Sequence, residues 1–224
     1  MSHFFDRVSL RNRRSSSTLA CCFLATAFSA AALPADDGGS TPRIVRVEED
    51  WELQVAIPDP DNDAPQISVV FAPTANVDWA YAEFDVNHHS QPGFIPGGLQ
   101  LQVWSGGVPI IANNDPDGGI LSQPDERVRW TQSMDLADGV LKFAVERGTS
   151  TTWGSFGSDG KLTIRTAAPL TDLNGYDTAV SLRNSGVGYA ANRVKALKIV
   201  AVRRFTADGQ ILTDDEDQIC FEHD

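Results

Sequence analysis

The sequence predicts an all-β fold: a two-sheet antiparallel sandwich of the jelly-roll kind, preceded by an export signal. Three observations predict it. Apolar residues recur at every second position along most of the chain, and turn signals rich in Gly, Pro and Asp separate these stretches. No run long enough for a core helix carries a capped 3.6-residue period. A closed barrel is the alternative architecture.

In chain order, the first element is not part of the fold. Arg7, Arg11, Arg13 and Arg14 form a basic region, and Leu19 to Leu33 is apolar apart from Thr26 and Ser29. Small residues at Ser29 to Ala32 and the polar Asp36-Asp37 follow, the order expected of a secretory signal peptide over residues 1–35. The apolar run is shorter than the roughly 18–20 residues a membrane span needs. Ser15 to Ser17 stand where a twin-arginine signal would be apolar, and Cys21 precedes the apolar run where a lipoprotein cysteine would follow it. The expected destination is therefore outside the cytoplasm, whether secreted, periplasmic or at the cell surface, with no membrane anchor after processing. Residues 36–42 read as a flexible leader, 43–213 as one sandwich domain and 214–224 as an acidic tail.

The strands follow from the alternation. Trp51, Leu53, Val55 and Ile57 face one way and Glu52, Gln54 and Ala56 the other. The same pattern runs through Leu99 to Val103, Leu141 to Val145 and Leu162 to Ile164, each with one face to the core and one to water. Further strands are expected at Gln66 to Ala72, Trp79 to Asn87, Val128 to Met134, Thr178 to Arg183 and Ala196 to Thr206. The turn Ala207-Asp208-Gly209 predicts a hairpin between Lys198–Phe205 and Gln210–Leu212. Gly186-Val187-Gly188 precedes no helix, so it reads as a Gly-rich loop anchored by Tyr189 and not as a phosphate cradle.

Charge and cysteine content narrow the function classes. The chain carries a net charge of −12, and removing a signal with four Arg and one Asp leaves −15. Such a surface repels phosphate backbones, which excludes nucleic acid as an expected partner. Of three cysteines only Cys220 survives processing, so no disulfide within the chain is available and the core must hold the fold. About 190 residues suffice for one.

Three stretches carry a resemblance: Glu48 to Leu53 leading into Pro58-Asp59-Pro60-Asp61, Gly148 to Gly157, and Asn184 to Val194. Together they resemble a group of uncharacterised secreted proteins of planctomycete-type bacteria that are expected to form lectin-like β-sandwiches. The resemblance implies fold and export over most of the mature chain, and no activity.

The chemistry centres on Glu83-Phe84-Asp85-Val86-Asn87-His88-His89. On a strand, Glu83 and Asp85 share a face opposite Ala82, Phe84 and Val86. Glycosidases of the laminarinase type have a similar Glu-x-Asp pair followed by a second Glu, where this sequence has Asn87 and His88. Without that carboxyl the retaining mechanism lacks its proton donor, so an enzyme is disfavoured. Legume-type lectins open a metal site with Glu-Phe-Asp, which makes Glu83 and Asp85 candidate metal ligands, although the later spacing differs. A second oxygen-rich loop, Asp59-Pro60-Asp61-Asn62-Asp63, offers Asp59, Asp61 and Asp63 to a hard cation such as Ca²⁺ on a Pro-stiffened turn. Trp104 leaves the core phase of Leu99 to Val103 and is the candidate sugar-stacking residue. Three functions remain: a non-catalytic glycan-binding module, a structural or cell-surface interaction protein with Ca²⁺-stiffened loops, and, disfavoured, a glycosidase. The expected partner is an extracellular glycan or a cell-surface protein.

Overall fold

The computed structural model describes residues 41–56, 65–77, 79–87 and 98–223. The signal, most of the leader, the loop with Asp59, Asp61 and Asp63, and both His88 and His89 lie outside the described residues. The chain forms the all-β, two-sheet antiparallel sandwich that its alternation predicts.

One sheet, here sheet A, takes β1 (Ile44–Val55), β6 (Arg127–Ala137), β7 (Val140–Ser150), β8 (Gly154–Phe156), β9 (Thr163–Ala167), β11 (Val194–Thr206), β12 (Ile211–Asp214) and β13 (Gln218–Glu222). Its order is β12-β11-β1-β6-β7-β8, with β13 also on β11 and β9 also on β7. Sheet B takes β2 (Gln66–Phe71), β3 (Ala80–Val86), β4 (Leu99–Ser105), β5 (Val108–Asp115) and β10 (Gly186–Tyr189), in the order β10-β2-β3-β4-β5. Strands β2 to β5 are thus a meander, each paired with the next.

The core lies between the inward faces. Val47, Trp51, Leu53 and Val55 of β1 join Val128, Trp130 and Met134 of β6, and meet Ala82, Phe84, Val86, Leu99, Leu101 and Val103 from the other sheet. Phe84 meets the Trp130 ring edge-on at 5.5 Å between centroids, and Trp130 lies parallel to Trp51 at 6.3 Å. Aromatic pairs in these geometries add about 0.5–1.5 kcal/mol each beyond the area they bury.

Three expectations are corrected. Thr178 to Arg183 is the helix α1 (Thr178–Asn184) and not a strand. Asp177 decides it, accepting a hydrogen bond from the Ala179 N–H at 2.9 Å as an N-cap residue does. The segment after Asp214 does not fray along its length, because β13 pairs with β11 through Ala196↔Glu222 and Leu197↔Phe221. Tyr189 anchors nothing: it is 47% exposed on β10, which pairs as an edge strand with β2. The expected hairpin is present, with Phe205↔Ile211 opening the β11–β12 ladder.

Candidate functional site

Strands β3 and β4 carry a compact group of reactive side chains on their outward face. Alternation sends Ala82, Phe84 and Val86 into the core and turns Tyr81, Glu83 and Asp85 outward. On β4 the inward residues are Leu99, Leu101 and Val103, leaving Gln100, Gln102 and Trp104 outward. The register then pairs Glu83 with Gln102, Asp85 with Gln100 and Tyr81 with Trp104. Directly opposed side chains on one face are within reach of each other.

The Gln102 amide nitrogen donates to Asp85 Oδ2 at 2.8 Å and to Glu83 Oε1 at 3.2 Å. Ser68 on β2 donates its hydroxyl to Asp85 Oδ1 at 2.5 Å. Because one nitrogen touches both carboxyl groups, these two oxygens are at most about 6 Å apart, close to the separation that acid–base pairs use. Asp85 is fully buried, while Glu83 is only partly so. Burial first, and the charge of Asp85 second, push the Glu83 carboxyl up to about 7. Burial, then Glu83, also raise the Tyr81 phenol.

Beside this pair the Tyr81 and Trp104 rings lie parallel, 4° from coplanar orientation, with centroids 6.3 Å apart. Trp104 has left the core phase as its sequence position implied. Its indole nitrogen is buried and has no hydrogen-bond partner, an arrangement that leaves a donor uncompensated. Gln100 and Asn114 continue the polar strip toward β5, joined at 2.8 Å.

The arrangement limits its own chemistry. Glu83 can carry a proton near neutral pH. Asp85 is a poor nucleophile, since both its oxygens accept hydrogen bonds and none of its surface reaches solvent. The gap between the two carboxyl groups is spanned by an N–H donor. Among the described residues, no group of three His, Cys, Asp or Glu side chains is placed to hold a metal ion, and no helix is long and apolar enough to cross a membrane.

Two further carboxyl groups were not singled out from the sequence. Glu48 and Glu49 are neighbours on β1, so they point to opposite faces. On the outward face, Glu48 accepts from Arg147 and Arg203 on one oxygen and from Arg46 on the other, at 2.7 to 3.0 Å. Burial works to raise it, but the hydrogen bonds of Arg147, Arg46 and Arg203 hold it down to about 2. On the inward face, Glu49 is completely buried and receives Tyr176 Oη and Ser181 Oγ, both at 2.6 Å, and Trp51 Nε1 at 2.8 Å. All three donors are neutral. Burial therefore prevails and the carboxyl rises to about 7. Cys220 lies half-buried with its thiol against the Leu182 carbonyl at 3.6 Å. Burial, then Glu49, raise it to about 11, which leaves it a poor nucleophile.

No family model matches the chain, and no curated protein does. Among solved structures, the chain is similar to the crystal structure of scytalido-glutamic peptidase with a transition state analog inhibitor. The identity is 12% over 80% of this chain and 82% of that one, with a TM-score of 0.28.

Proposed function

We propose that this chain is an exported, non-catalytic binding module that holds a glycan on the outward face of β3 and β4. The observation that carries the reading is the parallel Tyr81–Trp104 pair set directly beside the bridged Glu83–Gln102 pair. A sugar ring has an apolar C–H face and a rim of hydroxyls, so it needs a flat aromatic surface next to groups that accept and donate hydrogen bonds. Here the rings supply the first, and the partly exposed Glu83 carboxyl group and the exposed Gln100–Asn114 pair supply the second. The buried, doubly occupied state of Asp85 favours binding over hydrolysis, because a retaining glycosidase needs its second carboxyl free to reach the sugar.

A glycan array with the wild-type protein is the direct test. Binding to at least one neutral glycan is expected, reduced tenfold or more by Trp104→Ala and by Glu83→Gln. No binding to any glycan, with or without added Ca²⁺, sinks the reading. Incubating bound glycans between pH 4 and 8 should release no shorter products. The loop of Asp59, Asp61 and Asp63 is our proposed Ca²⁺ site, and calorimetry with CaCl₂ should then give both heat and a higher melting temperature.

A further inference from the structure

The opposite face of the molecule is built on a different plan. The outward residues of β1 and β6 include Glu48, Asp50 and Glu52 beside Arg127, Arg129, Thr131 and Asp135, and Arg147 of β7 joins them. Two of the carboxylates lie low: the Glu48 and Glu52 side chains are 6% and 9% exposed, against 27% and 28% for Asp50 and Asp135. Above them the Arg127, Arg129 and Arg147 side chains stand 44%, 59% and 54% exposed. A protein of net charge −12 thus presents guanidinium groups to solvent here, over a lower layer of their counter-charges.

A bulge makes this possible. Arg129 pairs with Thr149 and Thr131 with Glu146, so β7 carries one residue more than β6 between these pairs. The extra residue lets both Glu146 and Arg147 reach the outward face, where they meet Arg46 and Glu48 respectively. The cost falls on Arg147, whose φ of 53° lies in the left-handed region that a side chain disfavours. Bulges re-aim side chains in this way beside binding sites.

Two open clefts adjoin there, sharing Arg129 and Thr149. One of about 300 Å³ adds Asp50, Thr131 and Arg147, and the other of about 280 Å³ adds Arg127, Ser150 and Thr151. Arg129 binds Glu52 through Nε and Nη2, at 2.6 and 2.5 Å. Arg147 uses Nε on Thr131 and Nη2 on Glu48. The Nη1 group of each is left with no partner among the described residues. Arg127 has only a loose approach of 3.9 Å to Glu52. The clefts are therefore lined by partly spent guanidiniums whose first contacts fix their orientation, with threonine hydroxyls between them.

We propose that this face of β1, β6 and β7 is a second binding site, which takes the carboxylate or sulfate groups of an anionic polysaccharide through Arg127, Arg129 and Arg147. Guanidinium groups match such oxyanions with paired N–H donors. The spacing along β6, with Arg127 and Arg129 on one face, suits successive charges on a chain better than one isolated ion. The remainder of the acidic surface restricts capture to short range, so long polyanions are not drawn in from a distance. This site is independent of the one on β3 and β4.

The test is calorimetric titration of the whole protein at low salt with three probes of matched length: a sulfated oligosaccharide, an oligogalacturonate and a neutral oligoglucan. One or both anionic probes should bind, with affinity falling as salt rises. Arg129→Gln with Arg147→Gln should weaken binding at least tenfold, while Trp104→Ala leaves it unchanged. Should the double variant melt early, the wild type decides: a bound anionic probe should slow phenylglyoxal modification of Arg129 and Arg147 as mapped by mass spectrometry. Absence of binding by both anionic probes overturns the proposal, as does undiminished binding by a stably folded double variant. Equal affinity for a DNA oligonucleotide of matched charge overturns the assignment to a polysaccharide.

Discussion

Glu48 and Glu83 both sit on outward faces of the sandwich, one on each sheet, and both are largely covered. Their carboxyl groups nevertheless end on opposite sides of the ordinary value of 4.5, at about 2 and about 7. Burial raises both. What separates them is the company: three guanidiniums surround Glu48, whereas Glu83 has one neutral amide and a second carboxylate. On sheet A the charge is locked and acts as a strut for the arginines above it. On sheet B it remains a titratable group beside an aromatic pair, which is what a recognition surface needs.

Removing the strut is the strongest test of this contrast between the two carboxyl groups. Glu48→Gln takes from Arg46, Arg147 and Arg203 the carboxylate they share, leaving Arg46 on Asp135 and Glu146, Arg203 on Asp50, and Arg147 with only a 3.8 Å approach to Asp50. Breaking a covered ion cluster costs several kcal/mol, moderated here by the remaining carboxylates and the half-exposed Arg147, so a loss of about 2 kcal/mol is expected in urea unfolding at pH 7. A cost below roughly 0.5 kcal/mol would mean the cluster is no more than a surface ion pair.

The pH profile sharpens the same contrast. Between pH 4.5 and 7 the unfolded chain has released the Glu83 proton while the folded chain keeps it, so stability falls as pH rises through this window. Glu49 acts with the same sign over the same window. Below pH 4.5, toward 2, the unfolded chain takes up a proton that folded Glu48 refuses, so stability falls as pH drops. A maximum near pH 4.5 follows, with a decline of several kcal/mol on the neutral side. Glu83→Gln and Glu49→Gln should each flatten the neutral limb in denaturation curves and leave the acid limb alone.

Asp85→Asn removes the second carboxylate and should let Glu83 fall below about 7, read by NMR titration. If Glu83 stays at about 7, burial alone holds it there. The smallest effect is expected at Trp104. Its ring stands outside the core, so Trp104→Ala should cost less than about 1 kcal/mol, against roughly 3–5 kcal/mol for Trp130→Ala. Thermal denaturation of the two variants compares them directly.

The same contrasts separate what is legible in the sequence from what is not. The inward and outward sets of β3 and β4 were legible because each strand has one buried face and its period is two. Pairing Glu83 with Gln102 needed the register, which depends on contacts between distant segments. The same holds more strongly for Glu48 and Arg203, 155 positions apart in sequence. Helix α1 is seven residues long, and its Thr178, Val180 and Leu182 alternate as a strand would. Asp177 was the readable clue. Strand β5 is not legible in the sequence, because Val108, Ile110 and Ile111 are exposed on an edge and no alternation marks them. β13 was hidden behind the run Asp214 to Asp217, whose charge suggested a solvated end.

The pairing of β11 carries one more consequence. One flank of this thirteen-residue strand lies along β1, and the other is covered in two pieces, by β12 over Val202 to Phe205 and by β13 over Ala196 to Ile199. Without those pieces, a long row of unpaired backbone N–H and C=O groups would stand open at the rim of sheet A, a template onto which a second chain can add. The C-terminal residues therefore act as a guard against self-association. A protein shortened before Gln218 should keep its β3–β4 face yet be prone to form dimers or fibres.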